Sequence, residues 1–153
     1  PVEPVRGQML LYRAAPELLQ RIVLHQGHYF IPRRDGHILV GSTMEYVGFN
    51  KETTPAAAEE LHGVITEVMP KLLDYPQVLH WAGLRPGIAD GIPLIGPVEG
   101  IDGLYLNTGH FRNGVVMGYA SSRLLASLML QQSANVPTEE YLPTAGRLRR
   151  ING

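Results

Sequence analysis

The run TGHFRNGVVMGYA, residues 108 to 120, places a histidine, a phenylalanine, an arginine and an asparagine at the tip of a strand-to-helix turn. The apolar stretch GLYLNT leads into Gly109. After Gly114 the pattern turns helical, with Val115, Val116, Met117, Tyr119, Ala120, Leu124, Leu125 and Leu128 apolar. A purely structural connection needs only a glycine and a cap. Arg112 stands where a helix N-terminus already supplies positive potential, a poor place for a cation unless an anion binds there.

Arg85, in WAGLRPG, closes an apolar strand and is followed by a proline, with Gly83 and Gly87 on either side. Two readings are open for it. One is a structural ion pair; the other is a bidentate clamp on a ligand carboxylate, whose geometry the guanidinium fork matches. Tyr29, in HYFIPR, reads by itself as a strand tyrosine of the core with a satisfied hydroxyl. His25 and His28 have His-x-x-His spacing, which on one strand places them on opposite faces and disfavours a shared metal. Arg33 and Arg34 read as a solvated hairpin tip, and the basic GRLRR near the end of the chain as solvated too.

No two glycines are separated by a single residue, so GxGxxG is absent, as is GxxxxGK[ST]. The glycines between 83 and 103 are either turn punctuation or places where backbone approaches a ligand. No Ser-His-Asp arrangement and no G-x-S-x-G elbow is legible.

The elements that must position these residues follow from periodicity and punctuation. Residues 7–13 and 21–26 read as strands, and HYFIPRRDGHILVGST as a hairpin turning at Arg34-Asp35-Gly36. Pro32 favours an edge or a bulge there. TTPAAAEELHGVITEVMPKLL is the clearest helix, with Thr53 or Thr54 as cap and Pro55 in the first turn. Its apolar stripe is Ala57, Leu61, Val64, Ile65 and Val68, and Pro70 ends it near Met69. VLHWAGLRP is a further strand, GIADGIPLIGPVEGIDG a long glycine-rich loop, 103–107 a strand and 114–131 a helix. The order predicts an α+β fold with a largely antiparallel sheet and no βαβ repeat.

With 153 residues, one domain with a sizeable core is the natural expectation. A net charge of -1 argues against a general nucleic-acid or anionic-membrane binder. The absence of cysteine excludes disulfides, zinc-thiolate sites and thiol nucleophiles. There is no run of about 18 apolar residues, and no secretory signal opens the chain. A soluble cytoplasmic protein is therefore expected. The opening PVEPVRGQML, without an initiator Met and running straight into a strand, suggests a start in mid-protein.

Three segments together resemble the glycine oxidase branch of the D-amino-acid oxidase family of FAD-dependent amine oxidases. They are YFIPRRDGHILVGSTM (29–44), WAGLRPGIADGIPLIGP (81–97) and TGHFRNGVVMGYA (108–120), in matching order and spacing. The likeness extends from residue 1 to about 131. It implies that Arg85 grips the substrate carboxylate, that the Tyr29 hydroxyl assists there, and that Met44 lines the small substrate cavity. It makes Arg112 a second active-site arginine. The backbone of His110, Phe111, Arg112, Asn113, Gly114, Val115 and Val116 would run along the flavin ring. The chemistry implied moves a hydride from the amino-acid Cα to the flavin, which dioxygen reoxidises to give hydrogen peroxide, while water hydrolyses the resulting imine to an oxo acid and ammonia. No side-chain acid or base is needed if the amine binds neutral.

The departure from the family is large, because the GxGxxG that would hold the ADP part of FAD does not occur. The resemblance thus implies a substrate domain over 1–80, a segment 81–131 that returns to the FAD domain, and a tail over 132–153. The chain would lack an N-terminal FAD-binding half, bind FAD weakly or not at all alone, and expose apolar surface to that half or to a second copy in a homo-oligomer, since relatives commonly self-associate. The expected substrate is glycine, sarcosine or a small D-amino acid. The alternative is a non-catalytic module for carboxylate binding or subunit contact that kept the fold and lost the cofactor.

Overall fold

A computed structural model describes residues 2–149. They form two compact units, one of residues Val5–Leu84 and one running on from Arg85 together with residues 2–4. In order the elements are β1 (Val2–Arg13), β2 (Val23–His25), β3 (His28–Pro32), β4 (His37–Gly41), α1 (Pro55–Val68), β5 (Gln77–Ile88), β6 (Leu94–Pro97), β7 (Tyr105–Thr108), α2 (Gly114–Met129) and α3 (Ala145–Arg149). A 3-10 turn covers Pro70–Asp74.

One sheet has the strand order β2-β3-β4-β1-β5, and β6 and β7 form a separate two-stranded ladder. The β1–β4, β2–β3, β3–β4 and β6–β7 pairs are antiparallel. The hairpin β3–β4 turns as its Asp-Gly signal requires: Gly36 has φ +86 and the His37 amide donates to the Asp35 carboxylate at 3.1 Å. Pro32 lies past the end of the short β2, beyond the Val23–Phe30 pair, where its missing N–H interrupts no ladder.

In the first unit α1 is capped by Thr54, whose hydroxyl accepts from the Ala57 amide at 3.3 Å, with Pro55 in its first turn. Ala57, Leu61 and Ile65 are its buried residues. Leu61 and Ile65 pack with Leu10, Tyr12, Phe30, Ile38 and Val40 of the sheet, and with Leu72, into one core. Alternation on the strands thus selects a single apolar face for α1 to cover.

Three expectations are corrected. His25 and His28 flank the two-residue turn Gln26-Gly27, both with positive φ, and lie directly opposite each other on β2 and β3. Each bonds a different glutamate of α1, His25 to Glu67 at 3.1 Å and His28 to Glu60 at 3.2 Å. The supposed loop 87–103 contains the end of β5 and all of β6, with Leu94, Ile95 and Gly96 buried. The basic tail is not wholly solvated. Arg147 has a side chain 13% exposed and paired with Asp90 at 3.1 Å. Arg150 lies outside the described residues. Among the described residues no helix is long and apolar enough to cross a membrane.

Candidate active site

Tyr29 sits in β3 opposite Gly41 of β4 and Leu24 of β2. Its neighbour Phe30 is fully buried in the core, so alternation turns the half-buried Tyr29 to the sheet face away from α1. Met44 follows three residues after β4 and is 53% exposed. The residues on either side of it are firmly held. The Thr43 amide donates to the Gln8 carbonyl at 3.3 Å, and the Gln8 amide returns to the Thr43 hydroxyl at 2.9 Å. Glu45 pairs with Arg6 and accepts from the Thr43 hydroxyl at 2.6 Å and from Gln8 Nε2 at 2.9 Å.

This network was not singled out from the sequence. Arg6, Gln8, Leu10 and Tyr12 share one face of β1 by alternation. Two polar side chains in the core-facing register were therefore the available signal. Arg6 and Gln8 are 4% and 0% exposed, and beyond Glu45 they reach the Glu52 carbonyl and Thr54, the cap of α1. Burial pushes the Glu45 carboxyl up, but hydrogen bonds from Arg6, Thr43 and Gln8 outweigh it and hold the group below the usual glutamate range.

The other unit carries Arg85, half-buried in β5, and the loop between β7 and α2. The Phe111 amide donates to the Pro86 carbonyl at 3.1 Å, which sets the loop beside the segment that carries Arg85. Gly109 has φ +83, and a Cβ there would meet Ile88 Cδ1 at 3.3 Å and Pro93 Cα at 3.5 Å. The loop then turns through Phe111 at φ 47 and an Asn113 amide bonded to the His110 carbonyl at 2.8 Å. Asn113 precedes α2 without capping it by its side chain, so the first amides of the helix keep their capacity for an acceptor. Arg112 is exposed at this end, and Val115 and Val116 are 99% and 86% exposed. His110 Nε2 is buried without a hydrogen-bond partner among the described residues.

Tyr29 and Met44 thus belong to one unit, and Arg85, Arg112 and the 110–116 segment to the other. Among the described residues no group of three or more His, Asp or Glu side chains is arranged to hold a metal ion.

The family model for DAO, the FAD dependent oxidoreductases, matches residues 1–128. The chain belongs to this family. A glycine oxidase of Pseudomonas aeruginosa is 56% identical over 148 residues, covering 97% of this chain and 40% of that protein. The crystal structure of glycine oxidase from Geobacillus kaustophilus superposes with a TM-score of 0.88 at 27% identity, over 94% of this chain and 39% of that one. Iminodiacetate oxidase from a Chelativorans species gives 0.87 at 29%, over 94% and 40%. The chain therefore spans about two fifths of the length of these relatives.

The family's FAD fits this chain in part. The uncapped α2 terminus, the buried His110 nitrogen and the exposed backbone leading into α2 suit the ring end of a flavin. The chain offers no GxGxxG for the ADP end.

Proposed function

We propose that this segment supplies the substrate side of an FAD-dependent oxidase that deaminates glycine, sarcosine or a small D-amino acid, and that it works as part of a longer polypeptide. Membership of the family and the 56% identity to a glycine oxidase support the reaction class. The observation that carries the site is the Phe111–Pro86 hydrogen bond, which ties together the two arginine-bearing segments.

In this reading Arg85 binds the substrate carboxylate as a two-pronged donor. The likeness to glycine oxidases gives the Tyr29 hydroxyl a carboxylate-binding role and Met44 a cavity-lining role. FAD, when bound, supplies the hydride acceptor and the route to dioxygen. Arg112 and the first amides of α2 present positive potential to the negative charge that develops opposite the substrate, since a helix N-terminus carries about half a positive charge. Arg85 thereby fixes the pose of one small molecule through its carboxylate.

Val115, Val116 and Tyr119 form an apolar face on α2 that is 76–99% exposed. We assign that face to the FAD-binding half that would precede this segment, and pairing of whole subunits to other surfaces. A cytoplasmic setting suits this soluble chemistry.

Arg85→Ala in the FAD-loaded, longer protein tests the assignment. The clamp is worth about 2–5 kcal/mol, so kcat/KM for glycine or sarcosine should fall by roughly 30-fold or more. Turnover left nearly intact would refute the clamp, and a parent protein that loads FAD but turns over neither amine would favour the non-catalytic module.

A further inference from the structure

From the contacts of α3 we infer that Arg147 is a positioning residue for the anion-binding segments, acting through the turn at residues 88–93. The inference rests on the reading of Arg85 and Arg112 given above. Its starting point is a set of hydrogen bonds unusual for a basic tail. Arg147 donates to the carbonyls of Ile92 and Glu140, both at 2.6 Å, to that of Pro93 at 3.4 Å, and to both carboxylate oxygens of Asp90 at 3.1 and 3.2 Å. A guanidinium can meet carbonyl and carboxylate acceptors on several sides at once, which an ammonium on a flexible stem does less well.

The tail that carries it is laced to the same stretch at two further points. The Ile95 amide donates to the Tyr141 carbonyl at 2.8 Å, and the Ala145 amide to the Glu99 carboxylate at 2.7 Å. Gly96 has no room for a Cβ, which would come within 2.8 Å of Leu142. The tail therefore packs on this strand rather than hanging from it.

The turn that Arg147 holds is wedged between the two arms of the candidate site. Within it the Gly91 amide bonds the Ile88 carbonyl at 3.1 Å and the Ile92 amide bonds Asp90 at 3.1 Å. Upstream it continues β5, three residues beyond Arg85. Its Ile88 side chain and Pro93 backbone press on Gly109, where the Arg112 loop begins. Releasing Arg147 frees the turn, and with it the spacing between Arg85 and the loop. Ligand geometry is sensitive to this, because a misplacement of about 1 Å costs roughly 10²-fold in rate.

Two measurements on Arg147→Ala, with Arg147→Lys and Asp90→Asn as milder variants should the first not fold, test this. Hydrogen exchange on the 153-residue chain should speed up at Gly91, Ile92 and Phe111 and stay unchanged in the β3–β4 hairpin. In the FAD-loaded longer protein, acetate titrated against the flavin absorption band should bind about tenfold or more weakly than in the parent, with only partial recovery in Arg147→Lys. Unchanged exchange at Phe111, or unchanged acetate affinity beside an Arg85→Ala variant that has lost it, would overturn the inference. If Arg85→Ala also leaves acetate binding intact, the clamp reading has failed first and the positioning role falls with it.

Discussion

Arg6 and Glu45 show at the scale of single residues how this fold spends polar groups. Both lie in a stretch of β1 and the chain after β4 where the core-facing register turns from Leu10 and Tyr12 to Gln8 and Arg6. Removing one partner of a buried pair is far more costly than never having had the pair, because the other charge is left desolvated. Glu45→Ala should therefore destabilise the chain by about 3 kcal/mol, the low end of the usual range, since Arg6 keeps the Glu52 carbonyl; chemical denaturation reads this directly. The carboxyl titrates below its ordinary value of 4.5 in the folded chain. Its stabilisation is thus complete above that pH and lost as pH falls further, and Glu45→Gln should flatten that part of an acid-unfolding profile. Arg85 and Arg112 drew notice in the sequence because their neighbours were unusual, a proline and glycines for one and a helix start for the other, whereas Tyr29 was marked only by the family resemblance. Arg6, Gln8 and Arg147 did not, because burial of a polar side chain depends on partners about 35 to 57 residues away that no local pattern reveals.

Elements with local punctuation were legible, and those made by distant contacts were not. α1 follows from Thr54, Pro55 and an apolar stripe, and the β3–β4 turn from Asp35-Gly36. Thr54→Ala should cost about 1 kcal/mol as a lost cap, and more if Gln8 loses its hydroxyl partner as well. β6 was hidden because four residues between prolines and glycines show no alternation; all but Pro97 are buried, Gly96 with φ +134 under Leu142. Gly96→Ala should accordingly lower the melting temperature by several degrees, as a change of about 1 kcal/mol or more does in a chain of this size. The β2–β3 pairing was hidden because Gln26 occupies a positive-φ position that usually calls for Asn or Gly. On β5, burial and then the charge of nearby His62 hold the His80 imidazole below its ordinary 6.5. The folded chain resists that proton while the unfolded chain takes it, so stability is full above about 6.5 and declines as pH falls. A His80→Leu variant should show a weaker fall in melting temperature between pH 7.5 and pH 5.5.

At the scale of the whole molecule, the described residues form one unit with a closed core and one that ends in an apolar helix face with little to cover it. The first holds the core between α1 and the sheet; the second carries both Arg85 and Arg112. Relatives of about two and a half times this length and the missing ADP-binding fingerprint fit a segment whose cofactor site is completed from elsewhere in the polypeptide. The most direct measurement is the visible spectrum after FAD incubation and gel filtration, taken on this chain alone and on the longer protein with its GxGxxG half, followed by glycine or sarcosine. On the proposed function the chain alone is colourless, and the longer protein retains FAD, bleaches on adding the amine and releases hydrogen peroxide. A folded longer protein that retains FAD but is neither bleached by nor turns over any small amino acid would contradict it.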